Sequence, residues 1–168
     1  MMTLGRTPHV HPFSGDLLAI YLNDHLAGST AGVELARRAA SNNAGTDYGP
    51  ALSEIAREIE EDRAMLEELM DRLGVGRDHV KTAAAWMAEK AGRLKPNGRL
   101  RGYSPLSRFE EVELLLLGVS GKLALWRALD HALHEHVGGL ELPELEARAE
   151  SQRSRLEALR LQAAGEAL

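Results

Sequence analysis

Residues 51–74 read ALSEIAREIEEDRAMLEELMDRLG, and their apolar positions repeat with the spacing of an α-helix. Apolar residues and one aspartate recur at intervals of three and four, at Leu52, Ile55, Ile59, Asp62, Leu66, Leu69 and Leu73. A stripe of this period is typical of a helix that buries one face. Asp62 stands at the centre of the stripe, and a buried carboxylate is costly unless it has a partner. We therefore expect Asp62 to be buried and paired.

The segments on both sides of this helix carry the start and stop signals of further helices and almost none of a strand. Ser14 and Ser104 are suitable N-caps, Pro50 and Pro143 suit first turns, and Gly74 suits a helix end. The predicted helices cover residues 15–41, 50–74, 78–95, 105–136 and from 143 onward. The sequence thus predicts an all-α, up-down helix bundle with an extra crossover helix. Residues 14–168 would form a single domain behind a flexible N-terminal segment, residues 1–13.

Composition narrows the classes of partner and site. The 168 residues carry a net charge of −5 and include no cysteine. An acidic chain is a poor binder of nucleic acid, and disulfides and cysteine-ligated zinc are excluded. The longest uncharged apolar run, residues 114–121, is far shorter than the roughly 20 residues of a membrane span. We expect a cytoplasmic protein with neither a nucleic-acid nor a membrane partner.

Four ionisable residues lie at positions that the helical patterns assign to the bundle interior. They are His25, Asp62, Glu89 and Glu113. If consecutive helices are antiparallel, the predicted turns bring all four to about the same level. One interpretation is a buried salt-bridge network, including Lys90 or Lys122, that fixes helix register. The other is a metal site in the bundle interior, where carboxylates and imidazole supply the ligands.

Two further patterns predict packing. Gly28 and Gly32 interrupt the first helix and, having no Cβ, would let another helix approach closely. Residues 112–119 are apolar nearly all round the fourth helix, so this helix should be the most buried element.

The order of the predicted helices resembles that of the ferritin-like bundles, in which two antiparallel helices, a long crossover and two more helices follow one another. The resemblance rests on EIEED at residues 58–62, on the leucines and Gly74 that follow, and on FEEVE at residues 109–113. It covers residues 14–165 and is closest to the small bacterial ferritin-like proteins, whose stress-associated function is largely undefined.

Ferritin-like members with a di-iron or di-manganese centre take one Glu from each of two helices and Glu-x-x-His from each of the other two. The resemblance places Glu58 and Glu113 in the ligand-bearing stretches, with Asp24 or His25 at the level of the ligand of the first helix. This chain contains no Glu-x-x-His. The resemblance therefore implies a fold more than an activity.

Taken together, these patterns predict a non-catalytic protein that acts through protein interaction or assembly, as a homodimer. Trp86 and Leu161 are apolar groups beyond the needs of a four-helix core, and either a second copy or the crossover helix would cover them. The alternative function is metal binding, with iron or manganese and an oxidoreductase or metal-handling role. Its candidate site is the predicted polar cluster of His25, Glu58, Asp62, Glu89 and Glu113.

Overall fold

The computed structural model of this chain describes residues 15–77, 103–133 and 140–168. These residues form four helices, α1 (Gly15–Asn42), α2 (Gly49–Arg72), α3 (Pro105–Leu133) and α4 (Leu142–Ala167). The described ranges contain no strand, which confirms the all-α class and the helix bundle. The predicted crossover helix, with Trp86, Glu89 and Lys90, lies outside the described residues.

The helix ends follow the signals in the sequence. Gly74 has a φ of +66°, a left-handed conformation in which a side chain would be strained, so the glycine ends α2 as predicted. The hydroxyl of Ser104 accepts a 3.1 Å hydrogen bond from the backbone N–H of Ser107, which caps the start of α3. Pro50 lies in the first turn of α2.

Cross-helix pairs establish the direction of each helix. A short turn joins α1 to α2, which are antiparallel. Arg38, near the end of α1, pairs with Glu111, near the start of α3, at 2.8 Å. Because α1 is antiparallel to both α2 and α3, those two helices run in the same direction. α1 packs mainly against α2, and α3 packs mainly against α4.

The apolar interior is divided into two cores. The first core surrounds Trp126, contains residues from both helix pairs and includes Leu140. The second core surrounds Tyr48 and Leu156. Between them, α2, α3 and α4 contribute the polar side chains Asp62, Lys122 and Gln152. At the same level α1 contributes residues 28–32, which include two glycines.

The expectation that the apolar run in α3 makes this helix the most buried element is wrong. Leu117 is 62% exposed, Gly118 is exposed and Leu114 is only half-buried. Among the described helices the backbone of α3 packs closely against α1 and α4 and reaches α2 only through side chains such as Lys122, so a helix that is apolar all round leaves one face that no described residue covers. Within the described ranges, no helix combines the length and the apolarity required to cross a bilayer.

Candidate functional site

A buried cluster of charged and polar side chains lies at the middle of the bundle; we call Asp62, Lys122, Arg148 and Gln152 the central cluster. Asp62 is 2% exposed and accepts hydrogen bonds from the Lys122 ammonium and, at 3.0 Å, from the side-chain amide of Gln152. Lys122 also donates to Gln152 Oε1, and Arg148 forms an ion pair with Asp62 Oδ1. The prediction that Asp62 is buried and paired is confirmed, and Lys122 is one of its partners.

Carboxylates outside the central cluster offset part of its positive charge. Asp62 contacts both Lys122 and Arg148. Glu61 lies 3.9 Å from Arg148, and the nearby Glu58 acts to raise the pKa of Lys122. Burial lowers the pKa of Lys122, while the nearby Asp62 acts to raise it. Since burial is the larger effect, the lysine ammonium is less well stabilised here than in water.

The structure does not bring the other predicted site residues together around Asp62. Glu58 pairs with Arg155 of α4, and Glu113 lies 3.5 Å from Arg160. Glu113 is nine residues from Lys122 along α3, about 14 Å at the helical rise, so it does not share the level of Asp62. Glu89 lies outside the described residues.

The level predicted for Glu113 depends on the position of a turn near residue 100, and this turn also lies outside the described ranges. On the described part of the chain, the histidines, aspartates and glutamates form no group of three or more that could hold a metal ion. The carboxylates proposed as ligands instead face lysine or arginine side chains.

A groove runs between α1 and α3, with α2 as its floor, and encloses a cavity of about 710 Å³. Its walls are mostly apolar, and its inner end reaches Asp62 and Lys122 of the central cluster. His25 also lines this groove, with its ring edge-on to Tyr21 at 4.7 Å. Burial lowers the pKa of His25, against the smaller opposing effect of Asp24. The structure thus places His25 and Asp62 in one cavity.

Glycines line the groove on both sides, and no described helix makes the close crossing predicted at Gly28 and Gly32. A Cβ built at either position, or at Gly118 or Gly121 of α3, meets no described atom within 4 Å. No described helix therefore approaches these glycines closely. Their missing side chains leave the groove open.

Two N–H groups in the groove wall have no hydrogen-bond acceptor among the described residues. One is the indole Nε1 of Trp126, a side chain that is fully buried, and the other is Nε of Arg63. Buried donors of this kind usually have a partner, and a missing one calls for an explanation. Both atoms are buried away from the cavity, so Lys122 is the donor that reaches its inner end.

A second polar network, which the sequence did not reveal, closes the end of the bundle at the α1–α2 turn. Its centre, the end cluster, consists of Asn43, Tyr103, Arg108 and Glu111. Asn43 is fully buried, donates to the Tyr103 hydroxyl at 2.8 Å and accepts from Arg108 Nε at 2.6 Å. The Tyr103 hydroxyl donates to Glu111 at 2.9 Å.

The end cluster continues onto α4 through Tyr48. Arg108 lies over the Tyr48 ring at 4.5 Å and pairs with Glu166 at 2.7 Å. The Tyr48 hydroxyl donates to the same carboxylate, and burial together with Glu166 raises the pKa of Tyr48 to about 12. These groups satisfy one another, which indicates a structural role rather than a site awaiting a ligand.

Replacing Gly28 and Gly32 by alanine will stabilise the fold, by about 1 kcal/mol for each residue, because alanine favours a helix interior and a methyl group fits at both positions. Gly74→Ala is the matched control and will destabilise by about 1–2 kcal/mol, since its φ is positive. Urea unfolding measures all three variants. A loss of stability in the α1 variants would mean that something already packs against these glycines.

Comparisons of this chain with protein-family models, with curated proteins and with solved structures gave no match. The argument for a function therefore depends on the geometry of the groove and of the two clusters.

Proposed function

We propose that this protein is a ferritin-like bundle with a non-catalytic role, and that it acts by assembling with a second copy of itself through the groove between α1 and α3. The observation that carries the proposal is an apolar face that no described residue covers. Leu117 of α3 lines the groove and is 62% exposed, and Leu17 and Ile20, which are 67% and 52% exposed, lie on α1 nearer its start.

This face is continuous along α1. Leu17, Tyr21, Asp24 and Gly28 recur at intervals of three and four, so the exposed leucine and tyrosine extend the line of the groove toward the start of the helix. Contiguous apolar surface of this kind marks interaction sites on soluble domains.

A second copy fits the charges at the edge of the face. Asp24 and Arg63 both line the groove and carry opposite charges. Arg63 already pairs with Glu67 at 2.7 Å. A two-fold dimer that brings Asp24 to the partner's Arg63 would form this Asp–Arg contact twice. A surface that complements itself in this way favours a homodimer over an unrelated partner.

The topology supports the ferritin-like part of the proposal. Two antiparallel pairs, α1 with α2 and α3 with α4, are arranged so that α2 and α3 run in the same direction. Ferritin-like bundles have this arrangement because one long connection links their two helix pairs.

The metal-binding alternative receives less support from the side chains. Asp62 faces Lys122 and Arg148, and Glu58 faces Arg155. A metal ion would have to displace or repel these cations, whereas carboxylates in a metal centre are free to coordinate. The geometry favours the interpretation in which the buried carboxylates stabilise helix packing.

Light scattering at micromolar concentration tests the dimer. The expected mass of the wild type is twice the 18.3 kDa of one chain. Leu117→Glu places a charge in the proposed interface and should raise the dissociation constant at least about tenfold. Leu161→Glu, on the exposed face of α4, is the matched control and should remain a dimer.

Two results would contradict this proposal. A wild-type mass near 18.3 kDa at every concentration would exclude the dimer and favour the alternative in which the predicted crossover helix covers the apolar face. Dissociation of the Leu161→Glu variant, with Leu117→Glu unaffected, would place the interface on α4.

A further inference from the structure

The ammonium group of Lys122 lines the inner end of the groove. Lys122 has three N–H groups, and Asp62 and Gln152 accept from two of them. Trp126 Nε1 and Arg63 Nε also lack an acceptor among the described residues, but both atoms are buried away from the cavity. The Lys122 ammonium is therefore the donor that the inner end of the groove offers.

From this arrangement we propose that the groove binds an amphipathic monocarboxylate of the fatty-acid type. The carboxylate accepts a hydrogen bond from Lys122 at the inner end, and the alkyl chain lies between α1 and α3. The proposal goes beyond assembly but concerns the same groove, so ligand binding and oligomeric mass are measured separately.

The Lys122 ammonium explains why the head group is an anion. Its side chain is largely buried, and it has one N–H group beyond those that Asp62 and Gln152 accept. A carboxylate accepts from that group, because hydrogen bonds between charged partners are the stronger ones. A cationic or donor-rich head group would offer Lys122 no acceptor.

The walls explain why the remainder of the ligand is apolar. Leu35, Ile59, Leu66, Leu114 and Val119 are among the residues that line the cavity, and the glycines of α1 and α3 keep its middle open. Its volume of about 710 Å³ lies within the roughly 300–1,000 Å³ of small-molecule sites, which combine apolar walls with a few polar groups.

Isothermal titration calorimetry with decanoate, below its micellar concentration, tests the site, and 1-decanol is the uncharged match. Decanoate should bind with one molecule per chain and at least about tenfold more tightly than decanol. Lys122→Met should remove this preference while leaving decanol binding in place.

Gly32→Leu should block both ligands because its side chain enters the cavity, and Gly165→Leu, on the exposed part of α4, is the matched control. Circular dichroism checks that each variant is folded.

Equal affinities for decanoate and decanol in the wild type, or no saturable binding of decanoate, would overturn the proposal. Unchanged binding by folded Gly32→Leu would place the ligand elsewhere. Measuring the mass of each sample separates loss of the ligand site from loss of the dimer.

Discussion

Asp62→Ala will lower the free energy of unfolding by about 3–5 kcal/mol, the cost of removing one partner from a buried ion pair. The variant leaves Lys122 and Arg148 without the carboxylate that both contact, in a part of the bundle from which water is largely excluded. Gln152 also loses the acceptor of its amide. Urea or thermal unfolding, followed by circular dichroism, measures the change.

Asp71→Ala is the matched control for this prediction. Asp71 lies on the same helix but is exposed, and its pairing with Arg77 is a surface ion pair whose loss costs at most about 1 kcal/mol. A double variant, Asp62→Ala with Lys122→Met, should recover part of the loss because one unpaired charge is removed. If Asp62→Ala were no more harmful than Asp71→Ala, the central cluster would not be a buried ion-pair network.

Asn43→Ala will destabilise the protein by about 2–4 kcal/mol through the end cluster, because it leaves a charged donor without its acceptor. The variant removes the acceptor of Arg108 Nε and the donor to the Tyr103 hydroxyl, and it also removes a bond to the backbone of Ala39. Asn43 is fully buried, so water cannot readily replace these bonds.

The adjacent Asn42 provides the control for this experiment. It is exposed, it has the same side chain, and Asn42→Ala should change stability by less than about 0.5 kcal/mol. Near-equal effects of the two substitutions would show that the end cluster contributes little to stability. A comparison of unfolding midpoints and denaturant slopes is sufficient for this test.

Local signals in the sequence predicted the four described helices and such ends as Gly74 and Ser104 well. Gly74 and Ser104 act over a few residues through backbone conformation and capping, which do not depend on the rest of the fold. The burial and pairing of Asp62 were also predictable, because a single carboxylate in an apolar stripe either is buried with a partner or interrupts the buried face of the helix. The ferritin-like resemblance remains a prediction.

The contacts between helices were less predictable, because they depend on the relative positions of distant segments. Lys122 had been considered as a partner of Asp62, but the estimated level gave Glu113 instead. A glycine permits a close helix crossing, which is why the sequence predicts one at Gly28 and Gly32. No described atom lies within 4 Å of a Cβ built at either position.

The end cluster shows a second limit of sequence reasoning. Asn43 lies in a polar turn whose composition is typical of exposed loops, and nothing local marks it as buried. Glu111 stands between Glu110 and Glu113, and the sequence alone does not identify which carboxylate faces the interior. Only the contact with Tyr103 and Arg38 distinguishes it.

Because the central cluster separates two apolar cores, thermal opening of the bundle can stop halfway. Each end has its own packed side chains, and one end can fray while the other remains closed. α1 crosses the boundary between the two cores at Gly28 and Gly32. Because these residues have no side chains, this helix makes few side-chain contacts that link the two halves. We therefore expect two local unfolding units, with backbone amides on opposite sides of Asp62 exchanging with solvent on separate timescales.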